Sequence, residues 1–303
     1  MKIELIINQA AGGGKPEKVV PEVENILQTF HLPYHISWTS SSGGAMDLAK
    51  EAAERGTDIV VSVGGDGTIN EVVNGLLPVK KDLIPSQLGI IPAGWANDFI
   101  KSTTIPNDVE KACQIIKNGK IQKIDTGLIN EEIYFLNVFG IGFDAEIAAL
   151  ANQIKTNHPH WKTLSAYVYV FATIRKLLSP LPSFQAKITI DQQVIEGEIL
   201  FLAIANGKVE GGKFNIAPDA KIDDGLFDIC IVRKMGRLRC LHLLPTVIKG
   251  THQHLKEVSF FKGKEILVET DRPVISQVAG EKLPAQNKFH IKVLPKTVDL
   301  LTN

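Results

Sequence analysis

Gly64, Gly65, Asp66 and Gly67 stand between a β-branched run at residues 58–63 and an amphipathic run at residues 69–76. Glycines there open backbone angles closed to other residues and let a ligand approach the amides with no Cβ in the way. The chemistry such a turn can do is to hold a phosphate, because the free amides of a first helical turn and the helix dipole both favour an anion. Asp66 fits a bare anion site poorly. An acid there repels the ligand unless a cation intervenes or the carboxylate orients a hydroxyl. Strand, turn and helix also form plain connections in many α/β proteins, so geometry alone leaves both readings open.

Other residues that could do chemistry lie far along the chain. Asp224 and Gly225, within PDAKIDDGLFD, are a hairpin signal and equally an oxygen-rich loop for a cation. Glu281, after Ala279 and Gly280, is either a proton acceptor or one more solvated turn acid. His158 with His160, and His252 with His254, have HxH spacing, but no cysteine or acid cluster joins either pair, and zinc binding is not expected. Asn97 and Asp98 read as caps that open a helix.

The elements that must position these residues change character near Asp125. Before it, short apolar strands alternate with helical segments at 21–30, 44–55, 69–76 and 108–118, the pattern of a parallel α/β domain. Thr68 and Glu71 have capping-box spacing, which predicts a helix starting at Thr68. Its packed face is Ile69, Val72, Val73 and Leu76. After Asp125, strands are predicted at 134–139, 186–190, 199–205, 227–232, 265–269 and 289–293, an antiparallel β-rich, sandwich-like domain interrupted by a helical stretch at 161–178.

Composition bounds the function. The chain has 303 residues, enough for two domains, and 44% hydrophobic residues to fill their cores. Lys plus Arg equals Asp plus Glu at 33 each, which argues against an extensive nucleic-acid-binding surface. Cys113, Cys230 and Cys240 are odd in number and far apart, so no disulfide framework is expected. Met1 and Lys2 lead directly into a strand with Glu4 inside it, leaving no apolar signal region, and the expected location is the cytoplasm. No segment reaches the roughly 18 uncharged apolar residues of a membrane span. Any lipid must then be met at a surface. Two segments are open to that reading. Residues 161–178 place Trp161, Leu164, Val168, Phe171, Ile174 and Leu178 at helical spacing with Lys162, Arg175 and Lys176 beside them, but such spacing is ordinary for a core helix with solvated ends, which is the expectation. Residues 233–239, RKMGRLR, carry four cations that could meet anionic headgroups, but a solvated loop is the expectation.

The string GGDGTINEVVNGL resembles the GGDGT signature of the diacylglycerol kinase catalytic family, which includes soluble bacterial diacylglycerol kinases and the sphingosine and ceramide kinases. NAD kinases share only its core. The resemblance covers nearly the whole chain: KIELIINQAAGGGK, ISWTSSSGGAMDLAKEAAERGTD, LGIIPAGWANDFIKS, KIDTGLINEEIYFLNVFGIGFDAEI, NGKVEGGKFNIAPDAKIDDGLFDICIV and VAGEKLPAQ each resemble a family segment. It implies an ATP-dependent lipid kinase acting on the hydroxyl of a diacylglycerol-like lipid, peripheral and transiently at the inner membrane surface. Its ATP-binding domain is 1–125, completed by about 294–303, its lipid domain is 126–293, and nucleotide and lipid meet between them. ATP is implied at Asn8, Gln9, Ala10, Ala11 and Gly12, at Thr39, at Gly65, Asp66, Gly67, Thr68, Ile69, Asn70 and Glu71, and at Trp95. A structural magnesium is implied at Asp224 with the carbonyls of Lys221 and Leu226. Asp66 and Glu281 are the catalytic candidates. Two departures matter. Ala279 stands where the family's DGE motif has aspartate, and Trp95 where a nucleotide-contacting threonine is usual, either stacking on adenine or filling the pocket. They open a second reading, a catalytically degenerate nucleotide- or lipid-binding regulator. NAD kinase ranks last. The oligomeric state is open, a homodimer included.

Overall fold

The computed structural model describes residues 1–41, 43–79, 85–158, 161 and 164–303; Ser42, His160 and Lys162 lie outside them. The chain divides into two compact units, Met1–Asp125 with Pro295–Asn303, and Thr126–Leu294.

The first unit runs β1 (Ile3–Ile7), α1 (Lys15–Thr29), β2 (Tyr34–Trp38), α2 (Gly44–Glu54), β3 (Ile59–Gly64), α3 (Asp66–Leu76), β4 (Gln87–Pro92), α4 (Val109–Asn118) and the start of β5 (Lys120–Ile129). Its strands are parallel in the order β2-β1-β3-β4. β1 and β3 are buried along their whole length, as their Ile- and Val-rich sequences require of strands covered on both faces. The one acid among them, Glu4, is buried and bound to His35, Ser37 and Arg55. α2 packs on α3 and α1 on α4. Two helix starts differ from expectation. α1 begins at Lys15, not near Pro21, because Pro16 occupies its first turn, where the missing N–H costs nothing. α3 begins at Asp66, so Thr68 is inside the helix and the capping box does not form.

The second unit contains β6 (Ile133–Phe135), β7 (Val138–Gly142), α5 (Phe143–Asn157), α6 (Ser165–Leu177), β8 (Phe184–Ile190), β9 (Gln193–Ala205), β10 (Phe227–Arg233), α7 (Arg237–Lys249), β11 (Val258–Gly263), β12 (Glu265–Val278) and the larger part of β13 (Glu281–Thr302). The expected strand at 134–139 is divided between β6 and β7, and α5, α7 and β11 are additional elements. The long strands β9 and β12 both pair antiparallel with β7 and with β8. Phe135, Phe139, Phe227 and Phe289 fill a core among the strands, while a second core joins α5, α6 and α7 to the sheet. The end of β13 joins the first unit's sheet, with Leu300 beside Leu88 of β4. Cys113, Cys230 and Cys240 are free and buried.

Candidate active site

In the first unit the chain leaves β1 for β2 on one side and β3 for β4 on the other, so strand order reverses between β1 and β3. Ligands of open α/β sheets bind beyond the carboxyl ends of the strands at such a reversal. Three loops leave those ends here: residues 8–14 after β1, Gly65 after β3, and residues 93–98 after β4. They pack closely at their glycines. A Cβ on Gly94 would lie 2.4 Å from the Gly65 Cα, and one on Gly12 would lie 2.3 Å from the Ala93 carbonyl oxygen. Gly12, Gly13 and Gly14 all have left-handed backbone angles, which residues with a Cβ rarely adopt, and the Gly14 N–H closes the turn on the Ala11 carbonyl (3.0 Å). α3 starts without a side-chain cap, so its first-turn amides keep their capacity for an anion.

Side chains lock these loops together. The Asn8 carboxamide donates to Thr68 Oγ1 (3.1 Å), and its oxygen accepts from the Ala10 N–H (3.1 Å). Asn97, buried and left-handed at φ 46°, accepts from the Gly94 N–H through Oδ1 (3.1 Å) and donates to Asn107 (3.0 Å). It therefore shapes the loop and does not cap a helix. Asp66 Oδ1 accepts from the Phe99 N–H at 2.8 Å, while Asp98 turns to Lys101 (2.6 Å). This gives Asp66 a structural task that sequence reasoning missed, because its partner lies 33 residues downstream. Burial, followed by the charge of Asp98, pushes the Asp66 carboxyl up to about 6, against hydrogen bonds from the Phe99 and Asp98 amides and the charge of Lys101.

The remaining implied ATP residues divide in two groups. Thr39 closes β2 and is buried, its N–H bonded to the Ile7 carbonyl (2.9 Å); Gln9 reaches outward to Glu17 (2.8 Å). Glu71 accepts from the Gly43 and Ala45 N–H groups at 3.1 Å each, capping α2 in place of the expected box at its own helix. Ala10 and Ala11 belong to the loop after β1, and Gly67, Ile69 and Asn70 to α3. The Trp95 indole lies against the glycine turn, with Cζ2 3.0 Å from where a Gly13 Cβ would be, and keeps about a third of its surface exposed.

The second unit holds a separate polar cluster. Gln277 Nε2 donates to Asp144 Oδ2 (2.8 Å) and to Glu210 Oε1, and Gln277 Oε1 accepts from the Gly280 N–H (2.9 Å). Burial pushes the Asp144 carboxyl up to about 6, opposed by hydrogen bonds with Gln277 and Glu210. Asp144 and Glu210 also border a narrow cavity of about 60 Å³ whose other walls are mostly apolar residues of α5, α6, α7, β9 and the 211–216 segment. No local signal links these three residues, which lie at least 66 positions apart in sequence. Their network ends on the Ala279–Gly280 turn, where both residues are left-handed (φ 51° and 81°), with exposed Glu281 just beyond. Alanine is an uneasy occupant of that angle; aspartate tolerates it better.

At the implied magnesium loop, Asp224 Oδ1 accepts from the Leu226 N–H (3.1 Å), a plain turn bond, and Oδ2 is 3.5 Å from Lys262 Nζ. Lys262 also pairs with Asp228 at 2.9 Å. The Asp224 carboxylate and the Lys221 and Leu226 carbonyls are oxygen donors of the kind magnesium takes, but an ion there would compete with the Lys262 ammonium.

A doubly wound α/β unit with glycine loops at its strand reversal, joined in sequence to an antiparallel β-rich unit, defines the structural class. Residues 2–129 match the model of the diacylglycerol kinase catalytic domain, and residues 137–302 that of the YegS C-terminal NAD kinase beta sandwich-like domain. A diacylglycerol kinase of Bacillus subtilis (strain 168) is 33% identical over 245 residues, 80% of this chain and 77% of that one. One from Staphylococcus saprophyticus is 30% identical over 301 residues, 96% of this chain and 94% of that one. A crystal structure of a diacylglycerol kinase from Bacillus anthracis str. Sterne superposes with TM-score 0.73 at 25% identity, covering 100% of this chain and 97% of that one. The chain belongs to the diacylglycerol kinase family.

Proposed function

We propose that the chain transfers the γ-phosphoryl group of ATP to the hydroxyl of a diacylglycerol-like lipid, at the cytoplasmic face of the membrane. The observation that carries this reading is the meeting of three glycine loops at the strand reversal, with the uncapped start of α3 among them. Loops that meet at glycines keep Cβ atoms out of the way of a phosphate, the uncapped α3 start offers its first-turn amides, and phosphoryl transfer depends mainly on such positioning and electrostatics. Asp66 holds the loop at Phe99 and, with Glu281, is the acid proposed to manage the hydroxyl proton. Magnesium at Asp224, Lys221 and Leu226 would brace the β10 end of the second unit. The test is turnover of γ-labelled ATP with diacylglycerol in detergent micelles and magnesium. Occupancy by ATP without phosphorylated lipid, across a panel of lipids, would reject the kinase in favour of a degenerate binder.

Ala279 favours that second reading enough to merit its own experiment. Ala279→Asp is expected to keep the melting temperature, since aspartate suits the left-handed turn, and to raise lipid phosphorylation. General acid–base assistance is typically worth about 10² to 10⁴ in rate. Combining it with Trp95→Thr removes the indole from the Gly13 turn and makes the comparison fairer. A parent already as fast as the double variant would show that the turn acid is dispensable.

The magnesium assignment has an independent check. Magnesium is expected to raise the parent's melting temperature by a few degrees through selective binding to the folded state. The gain should be absent in Asp224→Ala and larger in Lys262→Met, where the competing ammonium is gone. Equal gains in all three proteins would leave Asp224 as a turn residue only.

A further inference from the structure

α6 is apolar on two faces. Its inner face, with Val168, Ala172 and Leu177, is buried in the second unit's core. Its outer face repeats Tyr167, Phe171, Ile174 and Leu178 at i, i+4, i+7 and i+11, and all four are exposed, Tyr167 at 62% and Leu178 at 76%. An apolar helix face is normally covered by the rest of the fold; of these two, only the inner one is. α7 packs beside it and does the same, burying Cys240, Leu243 and Val247 while exposing Leu238 at 83% with Leu241. The inner faces of both helices border the same cavity, so both outer faces turn away from it.

Charge on these helices is one-sided. The chain as a whole is neutral, yet α6 carries two cations and α7 three, with no acid in either. Lys176 is taken up by Glu146 and Arg239 by Glu257. Among the described residues, Arg175, Arg237 and Lys249 have no ion-pair partner. Lys213 adds a further cation, 4.0 Å from the centre of the Tyr167 ring. No described helix is long and apolar enough to cross a membrane.

We infer that the outer face of α6 and α7 docks on the surface of an anionic lipid bilayer. Exposed aromatic and aliphatic side chains enter the headgroup boundary, and the unpaired cations meet lipid phosphates, the two terms by which peripheral helices bind membranes. A second copy of the chain suits this face poorly. Two-fold pairing sets the same patch against itself, bringing unpaired cations together with no acid on either helix to answer them. The inference deepens the lipid-kinase reading by naming the surface that reaches the substrate's bilayer.

The experiment is sedimentation of the full chain, without ATP, with vesicles of phosphatidylcholine alone and of phosphatidylcholine mixed with phosphatidylglycerol. The parent is expected to bind the mixed vesicles and to release at high salt. Phe171→Asp with Leu178→Asp, and separately Arg175→Glu with Lys249→Glu, should each weaken that binding at least about tenfold. The second pair changes only exposed residues, so loss of binding there cannot be loss of fold. Both should phosphorylate detergent-solubilised diacylglycerol at the parent's rate. Undiminished vesicle binding in both pairs, or binding indifferent to phosphatidylglycerol, overturns the inference. So does a concentration-dependent dimer of the parent abolished by Phe171→Asp. Vesicle binding with no lipid phosphorylated in micelles would sink the kinase reading and leave the docking face standing.

Discussion

Gly65→Val is expected to reduce ATP-dependent turnover by about 10²-fold or more while the chain remains folded. The cause is steric. A Cβ on Gly65 would stand 3.1 Å from the Gly94 Cα, and valine adds two methyl groups in the gap where the loops after β3 and β4 meet. Separating those loops displaces the amides that would grip phosphate, and a misplacement near 1 Å can cost about 10²-fold in rate. The fold survives because Gly65 has φ −104°, an angle open to any L-residue, so the cost is overpacking of about 1–3 kcal/mol. Steady-state kinetics against ATP, beside a thermal melt, checks this. Unchanged kcat and KM would put the nucleotide elsewhere.

Asp66 separates positioning from proton chemistry. Asp66→Asn retains an oxygen for the Phe99 N–H and removes the charge that opposes Asp98, so at pH 7.5 it should melt at or above the parent's temperature. Its lipid phosphorylation should nevertheless fall, by about 10² to 10⁴ for a lost acid–base group. Asp66→Ala should lose both, with a stability cost of about 1–3 kcal/mol for the unanswered amide. The pH dependence follows from the raised carboxyl. With a folded value of about 6 against an ordinary 3.8, the folded state holds the extra proton between those values. Asp66 therefore makes stability fall as pH rises from about 4 to about 6 and contributes no slope above that. That slope should be missing in Asp66→Asn. An asparagine variant as active as the parent would reduce Asp66 to a loop brace.

Local pattern was enough for much of this molecule. Ile- and Val-rich runs make buried parallel strands at β1 and β3, and glycines after β3 make a turn into a helix, because backbone freedom and side-chain periodicity act over a few residues. The motif strings fixed the family for the same reason, since each lies within one loop and its flanking elements. Chain folding alone decided what those residues touch. Glu71 has the right spacing for a box with Thr68, yet caps α2 across the unit, since α3 starts two residues earlier and leaves the carboxylate facing another helix's amides. Asp66 finds Phe99, and Gln277 gathers Asp144 and Glu210, through contacts between elements that no spacing announces. The stretch 161–178 has one periodicity whether its apolar stripe is core or surface. Only packing beside α7, itself hidden in a basic run followed by Pro245, shows that α6 buries one apolar face and leaves another exposed. Periodicity reports which residues share a face; burial depends on what the rest of the chain places against it.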